Sequence, residues 1–213
     1  DIIRADRIPI LEMPGYEADD VIGTLATEAG RRGITTYMMT PDKDYGQLVS
    51  DNVFMYRPKY GDKEFEVMGI EQIKAKFDIQ SPAQVIDMLG LMGDSSDNIP
   101  GVRGLGPKAA VPLLNFYSSI ENIYAAIDTC ENDVVKEKEL AKKWKDELGI
   151  SRPPMKVLKD NRQMAFVSRY LATIQTDLMI PADLNAYAYS IDNNTYENIC
   201  RRYEFVSLIE TPA

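Results

Sequence analysis

The chain has 213 residues, 45% hydrophobic and 27% charged, the balance of a globular protein with one good core and room for a smaller helical lobe. No apolar run approaches the ~20 residues that span a bilayer. With no histidine, Ser-His-Asp and Cys-His catalysis and imidazole metal ligands are excluded together. A net charge of −9 argues against a nucleic-acid partner at first sight, but not if the acid is concentrated at a cation site.

Residues 1–7 read as the end of a helix entered from upstream, so a piece of a longer chain is expected, and no signal peptide is legible. The apolar run 8–11 predicts a strand. Pro14-Gly15 marks a turn before a helix over 19–32, in which Val21, Ile22, Leu25, Ala26 and Ala29 share a buried face and which Gly33 stops. Residues 34–39 predict a buried strand, with Pro41-Asp42-Lys43-Asp44 directly at its end. Strand, helix and strand together predict a βαβ unit and a parallel sheet, in which ligands bind beyond the carboxyl ends of the strands.

A hairpin is expected from 53–56 and 64–67, joined through Lys59-Tyr60-Gly61-Asp62. Helices follow over 69–77 and 81–92, the second begun by Ser81-Pro82. It ends at a further acidic stretch, Gly93-Asp94-Ser95-Ser96-Asp97-Asn98. Between Ile99 and Ala110, Gly101, Gly104 and Gly106 predict a glycine turn between short helices. Free N–H groups at the second helix, with Arg103 and Lys108 beside them, would hold a phosphate. Neither a P-loop nor a dinucleotide fingerprint fits, because Pro107 stands where the P-loop lysine belongs and no strand precedes. Residues 121–148 read as helical and largely solvated, and 149–154 as a break. A helix over 161–176 has Met164, Phe166, Val167, Leu171 and Ile174 as expected core, and 194–203 forms a last helix. Pro112 fits its helix only within the first turn. Cys130 and Cys200 are too few for a zinc site, and a reducing compartment without a disulfide is expected.

Three acidic clusters, each at the end of an apolar run, are the unusual feature. Glu17, Asp19 and Asp20 head the first long helix, Asp42 and Asp44 follow the strand, and Asp94 and Asp97 follow the helix ending near Met92. Acidic residues in a first helical turn also serve as caps. Seven carboxylates packed together would instead repel unless cations sat among them. The residues alone leave both readings open. A calcium loop at Asp42-Lys43-Asp44-Tyr45-Gly46 is disfavoured, since the third ligand and closing Glu of an EF-hand are missing.

The clusters and the glycine turn, in this order, resemble the 5′-nuclease domains of bacterial DNA polymerase I, within the flap endonuclease superfamily. The resemblance rests on Pro14 to Ile22, Asp42-Lys43-Asp44 with Gln47-Leu48, Gly93 to Val102, Gly104 to Ala110 and, more loosely, Leu171 to Asp177. It implies an α/β, PIN-like or resolvase-like parallel-sheet nuclease core over residues 1–97, incomplete at its N-terminus, then a helical region with a helix-hairpin-helix element over 98–213. It implies a hydrolase, a 5′-3′ exonuclease or flap endonuclease of DNA replication and repair, cutting DNA at 5′ ends and flaps by two-metal catalysis. By the same resemblance Glu17, Asp19, Asp20, Asp42, Asp44, Asp94 and Asp97 hold two Mg²⁺ or Mn²⁺ ions, with Asp42, Asp94 and Asp97 catalytic. Gly101, Arg103, Gly104, Gly106 and Lys108 would grip DNA, with K⁺ at the hairpin.

The implied partners are DNA and a polymerase domain in the parent chain, with no membrane and a cytoplasmic setting. The family's earlier strand with its metal-binding Asp, a second Asp and a basic arch lie outside this sequence, and the acidic stretch 131–154 is longer than the family pattern. Two further readings compete: a non-catalytic DNA-binding module with structural acidic caps, and a PIN-type ribonuclease. Under the nuclease reading, Asp94→Ala or Asp97→Ala should abolish metal binding, spare the fold and raise the melting point of the metal-free chain.

Overall fold

A computed structural model describes residues 2–5, 7–58, 65–181, 183–189 and 193–209. After the short α1 (Ile2–Ala5), the apolar periodicity of residues 18–31 forms α2 (Ala18–Arg31), which buries Val21, Ala26 and Ala29 and leaves Ile22 exposed. Residues 8–11 are not a strand. No strand among the described residues runs beside them, so the ladder that holds a strand is missing, and Ile8 and Ile10 are exposed.

The sheet has three strands in the order β1 (Thr36–Met39), β2 (Val53–Pro58), β3 (Phe65–Met68). β1 and β2 are parallel, with Thr36 opposite Val53, while β2 and β3 are antiparallel, with Met55 opposite Met68. The expected parallel sheet is therefore mixed. The expected connection 59–62 of the hairpin, and Glu64, lie outside the described residues. β1 is buried on one face only. Met38 points inward, whereas Tyr37 and Met39 are exposed, and Tyr37 stacks on Phe54 with ring centroids 5.7 Å apart.

The remaining chain is helical: α3 (Ile70–Phe77), α4 (Gln84–Met92), α5 (Pro107–Tyr117), α6 (Ile120–Asp128), α7 (Val134–Leu148), α8 (Met155–Asp160), α9 (Arg162–Ala172) and α10 (Asn193–Arg202). The helical run expected over 121–148 breaks after α6, where Glu131 and Asn132 adopt left-handed backbone, with φ of 52° and 61°. Trp144 anchors the largely solvated α7, fully buried, its indole N–H donating to the Tyr117 hydroxyl at 2.9 Å. Pro112 lies beyond the first turn of α5, not within it, so the Lys108 carbonyl loses its bond four residues on.

α9 turns a different face to the core than expected. Ala165, Ser168 and Ala172 are buried, while Met164, Val167 and Leu171 are exposed and Ile174 is buried just past the helix end. The cause lies in α4. A Cβ on Gly90 would stand 2.7 Å from the Arg169 Cβ, 2.9 Å from the Ile120 Cδ1 and 3.1 Å from the Ala165 carbonyl oxygen. The helices meet this closely only because position 90 carries no side chain. Gly90→Ala should therefore cost about 1–3 kcal/mol through overpacking, read as a lower melting temperature in calorimetry; an unchanged melt would show that the contact is loose.

Candidate metal centre

The site is assembled from three segments. Past β1, residues 43–48 form a 3₁₀ turn with Asp42 as its cap. The Asp42 carboxylate accepts the Asp44 N–H at 3.0 Å, and this small turn directs the Asp44 side chain inward, where it is buried. Gln47 ties the turn to the chain beyond α9. Its amide donates to the carbonyls of Asp44 at 3.0 Å and Ala172 at 2.9 Å, and its oxygen accepts the Ile174 N–H at 2.9 Å.

The second segment follows α4. Asp94 and Ile99 exchange both backbone hydrogen bonds, at 2.8 and 2.7 Å, and so close the turn that carries Ser95 to Asn98. Gly93 and Gly101 make the crossing possible. Gly101 has a φ of +62°, and a Cβ on it would stand 2.2 Å from the Gly93 nitrogen, a separation no side chain tolerates. Gly101 is buried and its N–H donates to the Ser168 hydroxyl at 3.0 Å, so it shapes this turn and offers no N–H to a ligand.

The head of α2 is the third segment, and here the capping role is visible. Asp20 accepts the Glu17 N–H at 3.3 Å through one oxygen and the Gln175 N–H at 2.9 Å through the other. Asp19 accepts the Tyr45 hydroxyl at 2.7 Å.

The structure draws the seven carboxylates together unequally. Asp44, Asp94 and Asp97 each present an oxygen, all within 4.8 Å of one another. Glu17, Asp19, Asp20, Asp44 and Asp97 line one cavity of about 890 Å³, together with Ile99, Arg169 and Tyr170. Asp42 is not among these lining residues, and its carboxylate accepts the Asp44 N–H.

Electrostatics separate the two buried acids. Burial, with the neighbouring charge of Asp42, pushes the Asp44 carboxyl up to about 7, even though Lys43 pulls it down. Burial works in the same direction on Asp94, but hydrogen bonds from Lys43 and Ser96 outweigh it and hold that carboxyl below its ordinary value. Asp44 Oδ1 is buried and accepts no hydrogen bond. A buried carboxylate oxygen that accepts no hydrogen bond, with only the Lys43 ammonium 3.8 Å away and two further carboxylates beside it, fits a hard divalent cation, which takes oxygen donors without nitrogen or sulfur.

Three participants went unnoticed in the sequence. Lys43 lies among the acids it separates, and Tyr45 holds Asp19. Arg169 lines the cavity, bonded to Asp87 at 3.2 Å and paired with Glu121. Its signal was periodicity, since 165, 169 and 172 share a helix face. Arg103, Gly104, Gly106 and Lys108 are all exposed around the start of α5. Neither cation has an ion-pair partner among the described residues.

The sequence pattern described as 5′-3′ exonuclease, N-terminal resolvase-like domain, matches residues 1–78, and that of the 5′-3′ exonuclease C-terminal SAM fold matches 80–195. The chain belongs to the 5′-3′ exonuclease family. It is 37% identical over 189 residues to the DNA polymerase I of Bacillus caldotenax, covering 89% of this chain and 19% of that one. It is 36% identical over 179 residues to a 5′-3′ exonuclease of Aquifex aeolicus, covering 76% of this chain and 60% of the relative.

The same fold is found in T5 5′-exonuclease with bound zinc, with a TM-score of 0.59 at 18% identity, over 95% of this chain and 63% of that one. It recurs in a bacteriophage T5 flap endonuclease complexed with DNA and metal ions, with a TM-score of 0.58 at 18% identity, over 91% of this chain and 62% of that one. Resolvase-like core and helical region are thus both present. Among the described residues no helix is long and apolar enough to cross a membrane.

Proposed function

We propose that this chain hydrolyses DNA phosphodiesters at 5′ ends and flaps, in replication and repair, as the nuclease part of a DNA polymerase I working in the cytoplasm. One observation carries the reading: the convergence of Asp44, Asp94 and Asp97, with an Asp44 oxygen that is buried and accepts no hydrogen bond. These three would hold one Mg²⁺ or Mn²⁺; Glu17, Asp19 and Asp20, which line the same cavity, would serve a second ion, and Asp42 would support the site through the Asp44 N–H it accepts. Bound there, the ions supply the Lewis acidity that phosphodiester hydrolysis needs. The aspartates would orient them, and Asp44 would release its proton in order to bind. Because that carboxyl stands near 7, Mn²⁺ affinity should rise with pH across neutrality. A pH-independent affinity in calorimetry would count against Asp44 as a ligand.

The nuclease core occupies residues 1–97 and the DNA-gripping region 98–213. Arg103 and Lys108, with the backbone of Gly104 and Gly106 at the head of α5, meet the phosphates of the duplex, and Gly101 holds the turn that presents them. Potassium on the carbonyls of this hairpin would complete the grip. Calorimetry tests the reading directly. Wild type should bind Mn²⁺ and Asp97→Ala should not, with little change in its fold because Asp97 is exposed; equal binding by both would refute it.

A second reading is favoured by the hydrogen bonds that Asp19, Asp20 and Asp42 already make: a DNA-binding module whose acids are caps. It predicts duplex binding that is indifferent to chelator. In either case Lys108→Glu should weaken DNA binding about tenfold and reduce its salt slope by about one. Undiminished binding would remove the α5 turn from the interface.

A further inference from the structure

The acidic cluster contains a cation of its own. Lys43 projects from the 3₁₀ turn, its side chain 38% exposed, and its ammonium pairs with Asp94 Oδ2. The same nitrogen lies 3.8 Å from Asp44 Oδ1 and 3.4 Å from the Ser96 hydroxyl. Asp94 Oδ1 is already engaged, accepting the Ser96 N–H at 2.9 Å and the Ser96 hydroxyl. Oδ2 is therefore the oxygen that Asp94 has to offer, and Lys43 holds it.

We propose that Lys43 is an exchangeable counter-ion of the carboxylate site: its ammonium pairs with Asp94 and Asp44 until a divalent cation takes Asp94 Oδ2, and then swings out toward solvent. This rests on the reading of Asp44, Asp94 and Asp97 as the metal site. Charge forces the exchange, because an ammonium and a divalent ion cannot share one oxygen without strong repulsion. Geometry permits it. A flexible four-carbon stem carrying a compact charge can leave without moving the turn that bears Asp42 and Asp44. The device has two consequences. Acids that would otherwise repel are held together without metal, and the affinity for metal is lowered by whatever the displaced pair was worth.

The test compares wild type with Lys43→Met by Mn²⁺ calorimetry and thermal melting. In chelator the variant should melt lower, having lost its counter-ion. Its Mn²⁺ dissociation constant should be about tenfold smaller, equivalent to roughly 1.4 kcal/mol. At saturating Mn²⁺ the two proteins should melt together, since the difference belongs only to the unloaded form. Unchanged or weaker Mn²⁺ binding by the variant would overturn the proposal. So would a melting deficit that persists in saturating Mn²⁺, which would make Lys43 part of the loaded site. A wild type that shows no binding heat at all would instead sink the metal-site reading, and the counter-ion with it.

Discussion

Asp44→Asn is expected to raise the melting temperature in chelator at pH 8, with the gain fading as the pH is lowered toward 4. In the folded chain the Asp44 carboxyl stands near 7, against an ordinary 3.8. Between those values the unfolded chain has lost its proton while the folded chain keeps it. Wild-type stability therefore falls as pH rises through this window. The penalty is fully developed above about pH 7 and absent below about pH 4. Its full size is on the order of 4 kcal/mol, an upper figure. For a domain of this length that corresponds to roughly 8–16 °C. The Asn variant has no such penalty, and it should bind Mn²⁺ far more weakly. Parallel pH dependence of the two melting curves would show that Asp44 is not held against its charge.

Asp94→Ala is expected to act in the opposite sense on stability while also removing metal binding. Asp94 is buried, yet both oxygens are satisfied, one by Ser96 and the other by Lys43. Its pKa is lowered, so its contribution is present at neutral pH and is lost as pH falls through the folded value. Truncation leaves the Ser96 N–H and the half-exposed Lys43 ammonium without their acceptor. A cost of about 1–3 kcal/mol follows, discounted for the solvent that reaches Lys43. Mn²⁺ affinity should fall on the order of a hundredfold or more, about 2.7 kcal/mol. The expectation from sequence, a higher melting point for Asp94→Ala or Asp97→Ala without metal, is replaced for Asp94 by a lower one, because Lys43 pairs with it. A higher melting point for Asp94→Ala in chelator would contradict the pairing seen here.

The contrast shows which parts of the site were legible in the sequence. Asp42, Asp44, Asp94 and Asp97 stood out because each cluster follows an apolar run, a pattern that could bring them to one site. That the chain would bring Asp44, Asp94 and Asp97 within reach of one ion followed from the resemblance, not from spacing. The division of labour did not follow from either. Asp19 meets Tyr45, Asp20 meets Gln175 and Asp42 caps its own turn. Such partners are fixed by tertiary approach across 26 and 155 positions of the chain in the first two cases.

Lys43 shows the same limit. Between two aspartates it read as a spacer, and only the arrival of Asp94 from 51 residues away makes it a counter-ion. The inverted face of α9 has the same kind of cause. Met164, Val167 and Leu171 are the more apolar residues, but Ala165, Ser168 and Ala172 are the buried ones, and at Gly90 α4 comes up against the Arg169 Cβ and the Ala165 carbonyl. Hydrophobicity ranked the faces of α9, and closeness of approach chose between them. Residues 8–11 failed as a strand for a related reason, since a strand is defined by its neighbour and none of the described strands lies beside them.

Cleavage of a 5′-flap DNA in Mg²⁺ or Mn²⁺ by the purified chain, beside Asp97→Ala, tests the central claim most directly. Asp97 is exposed, so its removal should leave the fold in place and the comparison isolates the carboxylate. The account predicts divalent-dependent cleavage at the base of the flap by the wild type and none by the variant. Equal cleavage by both chains, or none by either in saturating Mn²⁺, would contradict the claim that these aspartates make a working nuclease centre.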